Sequence, residues 1–322
     1  MNRSDRVAVC SRSFSRHAVL RAELLARYEH VTFNDSGRQL EGVELVSFLR
    51  GHDKAITALE RIDETLLSQL PELKVIGKYG VGLDMIDMAA MHRHGKRLGW
   101  TGGVNRRSVS ELVIAFAVSM LRHVPSANKE LVGGIFRQLP GGQLSGRTVG
   151  IVGCGFVGKD LIQLLQPWGC TVLAHDVFDF PDFYARFGVT PVGLDELLQR
   201  SDVVSLHVPL DASTRNMLDA RRLGLMKPGA LLINAARGGL VDEGALKAAL
   251  QAKRIAAAAF DVFSVEPPQD LELLKLPNFL ATPHIGGSSE EAILAMGRAA
   301  IDGLDRSEIP PSGHELSKGE AP

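Results

Sequence analysis

The segment RTVGIVGCGFVGKDLIQLLQ, residues 147–166, constrains this chain more than any other stretch. An apolar strand-like run leads into Gly153, Gly155 and Gly158 at GxGxxG spacing, and a helical pattern follows. In that context each glycine has its own reason: the first permits a tight turn, the second lets the backbone approach a pyrophosphate, and the third lets helix and strand pack closely. Helix N-terminal amides would then face the phosphates. Glycines at this spacing also mark ordinary turns, and it is the strand before and the helix after that give a dinucleotide reading its context.

The next strand, CTVLAHD, ends on Asp176, eighteen positions after Gly158. A carboxylate there suits the two hydroxyls of an adenosine ribose and repels a 2'-phosphate. The following DVFDF offers no arginine, so NAD is expected rather than NADP. The alternative is a solvated or helix-capping Asp at a strand end.

Strand-like and helical runs alternate along the whole chain, which predicts an α/β architecture with parallel sheets. RVAVC, HVTF, KAITA and LKVIG read as strands of a first small sheet, with RHAVLRAELLARY and IDETLLSQL as helices between them. Residues 108–124 carry Val109, Leu112, Val113, Phe116, Met120, Leu121 and Val124 at helical spacing, a long amphipathic helix that would connect two domains. Ser108 with Glu111, and later Ser288 with Glu291, have the spacing of capping boxes. The stretch from 305 is rich in Pro, Gly and charge and is expected to be mobile.

With 322 residues, 45% of them apolar and 23% charged, the chain has material for about two domains. A net charge of -1 supplies no basic field for nucleic acid or anionic membrane, so small molecules and protein are the expected partners. Cys10, Cys154 and Cys170 form no CxxC or Cys/His cluster, which argues against a metal site or a disulfide framework. The start lacks a signal-peptide core, and LVIAFAVSML is too short to span a bilayer; a cytoplasmic location is expected.

Four later strands, DVVSLHV, GALLINAAR, AAAAFDVF and FLATPH, finish on polar or special residues. Ligands of open parallel sheets sit beyond the carboxyl ends of strands, which makes Arg237, Asp261, Glu266 and His284 candidates for one neighbourhood. A guanidinium can grip a carboxylate bidentately and polarise an adjacent carbonyl. Glu266 beside His284 would stabilise an imidazolium and keep a proton available for a developing alkoxide. Singly, each also reads as a surface ion pair, a solvated acid or a loop-bonding His.

Together, YGVGLDMID, VNRRSVSELVIAFAV, VGCGFVG, MKPGALLINAARGGLVDEGAL, AAFDVFSVEP and TPHIGG resemble the D-isomer-specific 2-hydroxyacid dehydrogenases, nearest the D-3-phosphoglycerate dehydrogenase branch. The resemblance covers roughly residues 6–304. It implies two doubly wound parallel-sheet domains, a Rossmann NAD-binding domain over 104–285 inserted into a flavodoxin-like substrate domain of 1–103 and 286–306, with a flexible tail over 307–322. It implies an NAD-dependent dehydrogenase that interconverts a 2-keto acid and its D-2-hydroxy acid, working as a homodimer, with the site in the cleft between domains.

By that resemblance Arg237 binds the substrate carboxylate and carbonyl, His284 donates the proton in reduction, and Glu266 is its partner. Cofactor contacts fall to Gly153, Gly155, Phe156, Val157, Gly158, Asp176, Val208, Pro209, Ala235, Ala236, Asp261 and Gly286. Ala235 and Ala236 leave room for the nicotinamide riboside, and Gly238 and Gly239 turn the chain away. Backbone amides of Tyr79, Gly80, Val81 and Gly82, with Asn105, face the substrate carboxylate. The chain departs from the family's habit at Gly102, where Pro is common, and at Thr57 to Glu60, which lack the cation that holds a substrate phosphate in phosphoglycerate dehydrogenases. Lys54, Arg61 and Lys78 are the candidate substitutes. A serine-binding regulatory domain is not expected. A different class shares the motifs: corepressors similar to C-terminal-binding protein, in which NAD controls association, so an NAD-responsive binding module is the alternative.

Overall fold

A computed structural model describes residues 2–311. The chain divides into two compact units, one made of the residues before 106 together with those from 290 onward, the other of Arg106–Ser289.

The first unit holds five strands: β1 (Arg6–Val9), β2 (His30–Phe33), β3 (Lys54–Thr57), β4 (Val75–Lys78) and β5 (Arg97–Gly99). They pair in the order β2-β1-β3-β4-β5, every pair parallel. β3 and β4 are buried along their full length, as strands covered by helices on both faces must be. The helix Glu290–Gly303 packs on β4 and β5 with almost no side chain between the backbones. A Cβ on Gly77 would meet the carbonyl oxygen of Ala300 at 2.6 Å, and one on Gly99 would collide with the backbone of Gly303.

The second unit holds β6 (Thr148–Val152), β7 (Thr171–His175), β8 (Val189–Pro191), β9 (Val203–Leu206), β10 (Leu231–Asn234), β11 (Ala257–Phe260) and β12 (Phe279–Ala281). Their order is β12-β11-β10-β9-β6-β7-β8, again all parallel. The alanines of β11 leave room for the helix Arg106–Leu121, which crosses β10 and β11 and buries Val113, Phe116, Ala117, Met120 and Leu121. Its start is tied to the helix Phe156–Leu165 by Arg107, whose Nε and Nη2 both reach the buried Asp160 carboxylate at 3.0 Å. Both sheets are therefore doubly wound, one in flavodoxin-like and one in Rossmann order.

Several expectations need correction. The helix at 106 starts before Ser108, so Ser108 does not cap it; the Ser108 hydroxyl donates instead to the Gly286 carbonyl at 2.6 Å. IDETLLSQL yields only the single turn Glu64–Leu67, capped by Asp63. The last helix begins at Glu290, two residues after Ser288. β5 and β8 carry no strand signal in the sequence, being three residues long with Gly or Pro in each. The tail expected to loosen at 307 is pinned as far as it is described: Leu98 and Glu308 form an antiparallel bridge, Arg97 donates to Ser307, and His92 Nδ1 lies 3.0 Å from the Pro310 carbonyl. Residues 312–322 lie outside the described range. Among the described residues no single helix is long and apolar enough to cross a membrane.

Replacing Gly99 by Ala should cost roughly 2–3 kcal/mol, because a backbone carbonyl and not a flexible side chain stands where the methyl would go. Urea unfolding of the variant would show this as a lowered midpoint at unchanged slope.

Candidate active site

In the second unit the sheet order reverses between β6 and β9, and the glycine turn follows β6 directly. Gly153 has φ +98°, and a Cβ there would meet the His207 carbonyl oxygen at 2.6 Å, so only glycine fits. A Cβ on Gly158 would run into the Gly153 carbonyl, the close helix-to-strand approach the spacing predicts. A Cβ on Gly155 meets nothing within 4 Å. The N-terminus of the helix Phe156–Leu165 thus opens on free space with its first-turn amides lacking intrahelical acceptors, and these residues fit a dinucleotide pyrophosphate.

Asp176, just past β7, is neither a helix cap nor merely solvated. Its Oδ2 accepts from Cys154 N–H at 2.5 Å and its Oδ1 from Phe178 N–H at 2.9 Å, so this acid is fixed to the glycine turn itself. The nearby Lys159 ammonium lies 3.9 Å from the centre of the Phe180 ring. Burial pushes the Cys154 thiol up to about 12, which leaves it an apolar core group.

Arg237 follows β10, and Asn234, fully buried, staples the turn that carries it: Asn234 Nδ2 donates to the Arg237 carbonyl at 2.9 Å and Ala236 N–H donates to Asn234 Oδ1 at 3.1 Å. Arg237 Nη1 donates to the Ala236 carbonyl at 2.7 Å. Gly239 adopts φ +79°, and a Cβ on Gly238 would clash with the backbone of Phe263, so the Arg237 turn lies flat against the loop that leads to Glu266. That loop is held by Glu243, whose Oε1 accepts from Ser264 N–H at 2.7 Å and from the Ser264 hydroxyl at 2.6 Å. Glu266 Oε1 accepts from Phe263 N–H at 3.0 Å, and its Oε2 lies 2.8 Å from His284 Nδ1.

Asp261 binds its own neighbours more than the sequence suggests. It is 1% exposed; Oδ1 accepts from the Thr282 hydroxyl at 2.5 Å and from Ile285 N–H at 2.7 Å, and Oδ2 from Gly286 N–H at 2.7 Å. The Asp261 carbonyl accepts from His284 N–H at 2.9 Å. Those bonds hold His284 at φ +54°, a conformation that costs a non-glycine residue about 1–3 kcal/mol and persists only where its surroundings over-determine it. The imidazole stays half exposed, with Nδ1 turned to Glu266 and Nε2 left for a ligand.

The sequence reading passed over Asn234, Glu243, Thr282 and His207. The first three were legible only as cap or strand-end types. His207 follows β9, with Nε2 2.9 Å from Ser205 Oγ; burial pushes its imidazole down to about 3, and its Nδ1 has no partner among the described residues. Val208 and Pro209 come next, at the same end of the sheet as the glycine turn.

In the first unit, Tyr79–Gly82 lie just past β4. The Tyr79 amide is committed to the Thr57 carbonyl at 2.8 Å, which corrects its assignment as a free donor. The amides of Gly80, Val81 and Gly82 have no acceptor among the described residues, and Trp100 Nε1 holds their loop through the Val81 carbonyl at 3.0 Å. Consecutive free amides of this kind make an anion-binding concavity. Asn105 is buried with Oδ1 unpartnered; turning the amide over would place its NH2 there. Lys54 is taken by Asp5, Asp305 and the Tyr28 hydroxyl, each at 3.1 Å, and Arg61 by Asp63 at 3.1 Å. Lys78 Nζ donates to the Ala58 carbonyl at 2.6 Å and the Tyr79 carbonyl at 3.3 Å.

Comparison with known proteins gives this geometry a family. The chain is 36% identical over 241 residues to the D-3-phosphoglycerate dehydrogenase of Bacillus subtilis, covering 74% of this chain and 46% of that protein. It spans about half the length of the curated relatives it matches. Among solved structures it resembles a D-lactate dehydrogenase from Aquifex aeolicus complexed with NAD and lactic acid, at TM-score 0.80 and 26% identity over 92% of this chain and 93% of that one. It also resembles a glyoxylate reductase from Paecilomyes thermophila, at TM-score 0.83 and 25% identity over 94% of each chain. The family model described as "D-isomer specific 2-hydroxyacid dehydrogenase, NAD binding domain" matches residues 114–286, more than half of the chain and the whole of the seven-stranded sheet, and the chain belongs to that family.

Proposed function

We propose that the chain is an NAD-dependent D-2-hydroxyacid dehydrogenase that reduces a small 2-keto acid or oxidises the matching D-2-hydroxy acid. The observation that carries this reading is the His284–Glu266 pair at 2.8 Å, on a loop that a buried carboxylate pulls against the sheet end of a dinucleotide-binding unit. NADH, when bound, supplies the hydride that becomes the C2 hydrogen of the product.

The side chains divide the remaining work. Glu266 holds His284 Nδ1–H, which fixes the ring and leaves Nε2 to give its proton to the C2 oxygen as charge develops there. In the reverse direction Nε2 takes that proton back while the bond to Glu266 keeps the ring oriented. Arg237 binds the substrate carboxylate and polarises the carbonyl. In the first unit the free amides of Gly80, Val81 and Gly82, with Asn105, are the groups suited to an anionic end of the substrate. Phe156 and Val157 amides take the pyrophosphate, Asp176 the adenosine ribose, and Val208, Pro209, Ala235, Ala236 and Gly286 line the cofactor. Asp261 acts through the loop it binds, and its Oδ2, with one donor, can still accept from the carboxamide.

The homodimer belongs to the proposal too. The segment after the long helix exposes Leu131, Val132, Ile135 and Phe136, with Val132 82% and Phe136 86% accessible, an apolar run that a second copy would cover. Light scattering that returns a monomer would overturn this part.

Replacing His284 with Ala should lower kcat by about 10²–10⁴ while NADH still binds, since general acid catalysis contributes about that much. Arg237→Ala should raise KM for the keto acid as well as lower kcat. Unchanged steady-state kinetics in either variant would contradict the assigned role. Asp176→Ala should raise KM for NADH severalfold and narrow the preference over NADPH, read from initial rates with each cofactor. NADH-dependent capture of a protein partner with no turnover of any 2-keto acid would favour the binding-module alternative.

A further inference from the structure

The sheet order of the first unit reverses between β1 and β3, and that switch point opens at its carboxyl end into a cavity of about 250 Å³. Crevices of this kind, outside the strand ends of an open parallel sheet, are where such folds bind ligands. Ser11 lines it from the loop after β1, Arg12, Ser13 and Arg16 from the short helix that follows, Glu60 from the loop after β3, and Gln39 from the side.

The two arginines are the unexplained feature. They stand four residues apart on the helical turn Arg12–Arg16, where like charges repel, and both are exposed. Neither guanidinium has an ion pair or side-chain hydrogen bond among the described residues, although most of the other arginines in this unit have one. Arg16 is aimed by the backbone at Gly37, which has φ +73° and where a Cβ would strike its Nη2. Glu60 is the one carboxylate on the cavity wall; it is 3% exposed, and its Oε2 is used by the Ala58 amide at 2.6 Å. Two cations against one acid leave a net positive wall, with hydroxyls of Ser11 and Ser13 and the Gln39 amide beside it. Phe14, next to Ser13, packs edge-on against the Tyr79 ring with centroids 5.5 Å apart, which puts the cavity wall beside the strand end that carries the free amides of Gly80–Gly82.

We propose that this cavity binds a second anionic group on the substrate, a carboxylate or phosphate remote from the reacting carbonyl, with Arg12 and Arg16 as its ligands and Glu60 as acceptor for a neighbouring hydroxyl. The proposal rests on the dehydrogenase reading for the identity of the ligand as a 2-keto acid. It answers the missing cation of the β3 loop: Lys54 and Arg61 are engaged elsewhere, and the positive charge comes from the helical turn after β1, which no sequence spacing connects to Glu60. Paired guanidiniums also distinguish a keto acid that carries a second, remote anionic group from a monoanionic one of similar size with an apolar side chain, since only the first satisfies both forks.

The test compares kcat/KM for 3-phosphohydroxypyruvate and 2-oxoglutarate with that for 2-oxopentanoate, in the wild type and in the double variant Arg12→Gln, Arg16→Gln. The wild type should prefer at least one of the two substrates with a second anionic group, and the double variant should lower their kcat/KM relative to monoanionic 2-oxopentanoate roughly 10- to 100-fold, the loss expected for charge-assisted hydrogen bonds. Which dianion suffers more identifies phosphate or carboxylate. Glu60→Gln should move the ratio the other way, because removing the opposing charge strengthens anion binding; a purely structural role would not change the ratio. A ratio unmoved by the double variant, or a wild type that favours 2-oxopentanoate, overturns the cavity assignment and leaves the dehydrogenase reading standing. If no 2-keto acid is reduced, that reading fails instead, and calorimetric titration with 3-phosphoglycerate decides the cavity separately: binding that the double variant weakens at least tenfold supports it, and equal or absent binding in the wild type overturns it.

Discussion

A buried carboxylate organises the chemistry of the second unit. Asp261 sits at the end of β11 almost without solvent, and an ion so placed is tolerable only if donors surround it. The donors come from one short loop: the Thr282 hydroxyl and the amides of Ile285 and Gly286. Drawing these three groups onto one side chain forces the loop to fold back, and His284 between them takes a left-handed backbone. That backbone conformation, together with the contact to Glu266, sets the direction of the imidazole, with Nδ1 toward Glu266 and the other nitrogen outward. The placement of the His284 imidazole thus follows from the hydrogen bonds that a buried carboxylate draws from its own loop.

The same logic of close approach recurs at the glycines. At Gly153 and Gly238 a backbone from another strand end occupies the place of the missing Cβ, so the glycine turn after β6 and the turn that carries Arg237 lie directly against neighbouring loops. Asn234 and Glu243 then fix those loops with side-chain bonds to backbone. Residues of this kind fix the loops that carry Arg237, Glu266 and His284, and rigid strand ends supply the frame.

Much of this was readable from the chain. The glycine spacing with its flanking strand and helix, the acid at 176, and the polar endings after β10, β11 and β12 are local signals, because turn chemistry and strand-end position act over a few residues. The readings that failed were local too: Ser108 with Glu111 looked like a cap, yet the helix had already begun at Arg106 and the hydroxyl was wanted by Gly286. Capping types compete with any tertiary acceptor within reach, and spacing does not reveal which wins. The short strands β5 and β8 were missed for the complementary reason, since their pairing comes from neighbours far along the chain and not from their own three residues.

The sequence by itself determined the class of fold, the dinucleotide turn and the set of side chains available for acid, base and anion recognition, because each is written in contiguous residues. Tertiary structure alone decided which of them meet. It showed that the Tyr79 amide is spent on Thr57, that Lys54 is spent on Asp5 and Asp305, and that Asp261 clamps the His284 loop. It also brought Arg12 and Arg16 to the same cavity as Glu60, more than forty residues away. Parallel strands return to the same edge only after a crossover, so groups that share a site are separated in sequence by whole helices, and no local pattern records their encounter.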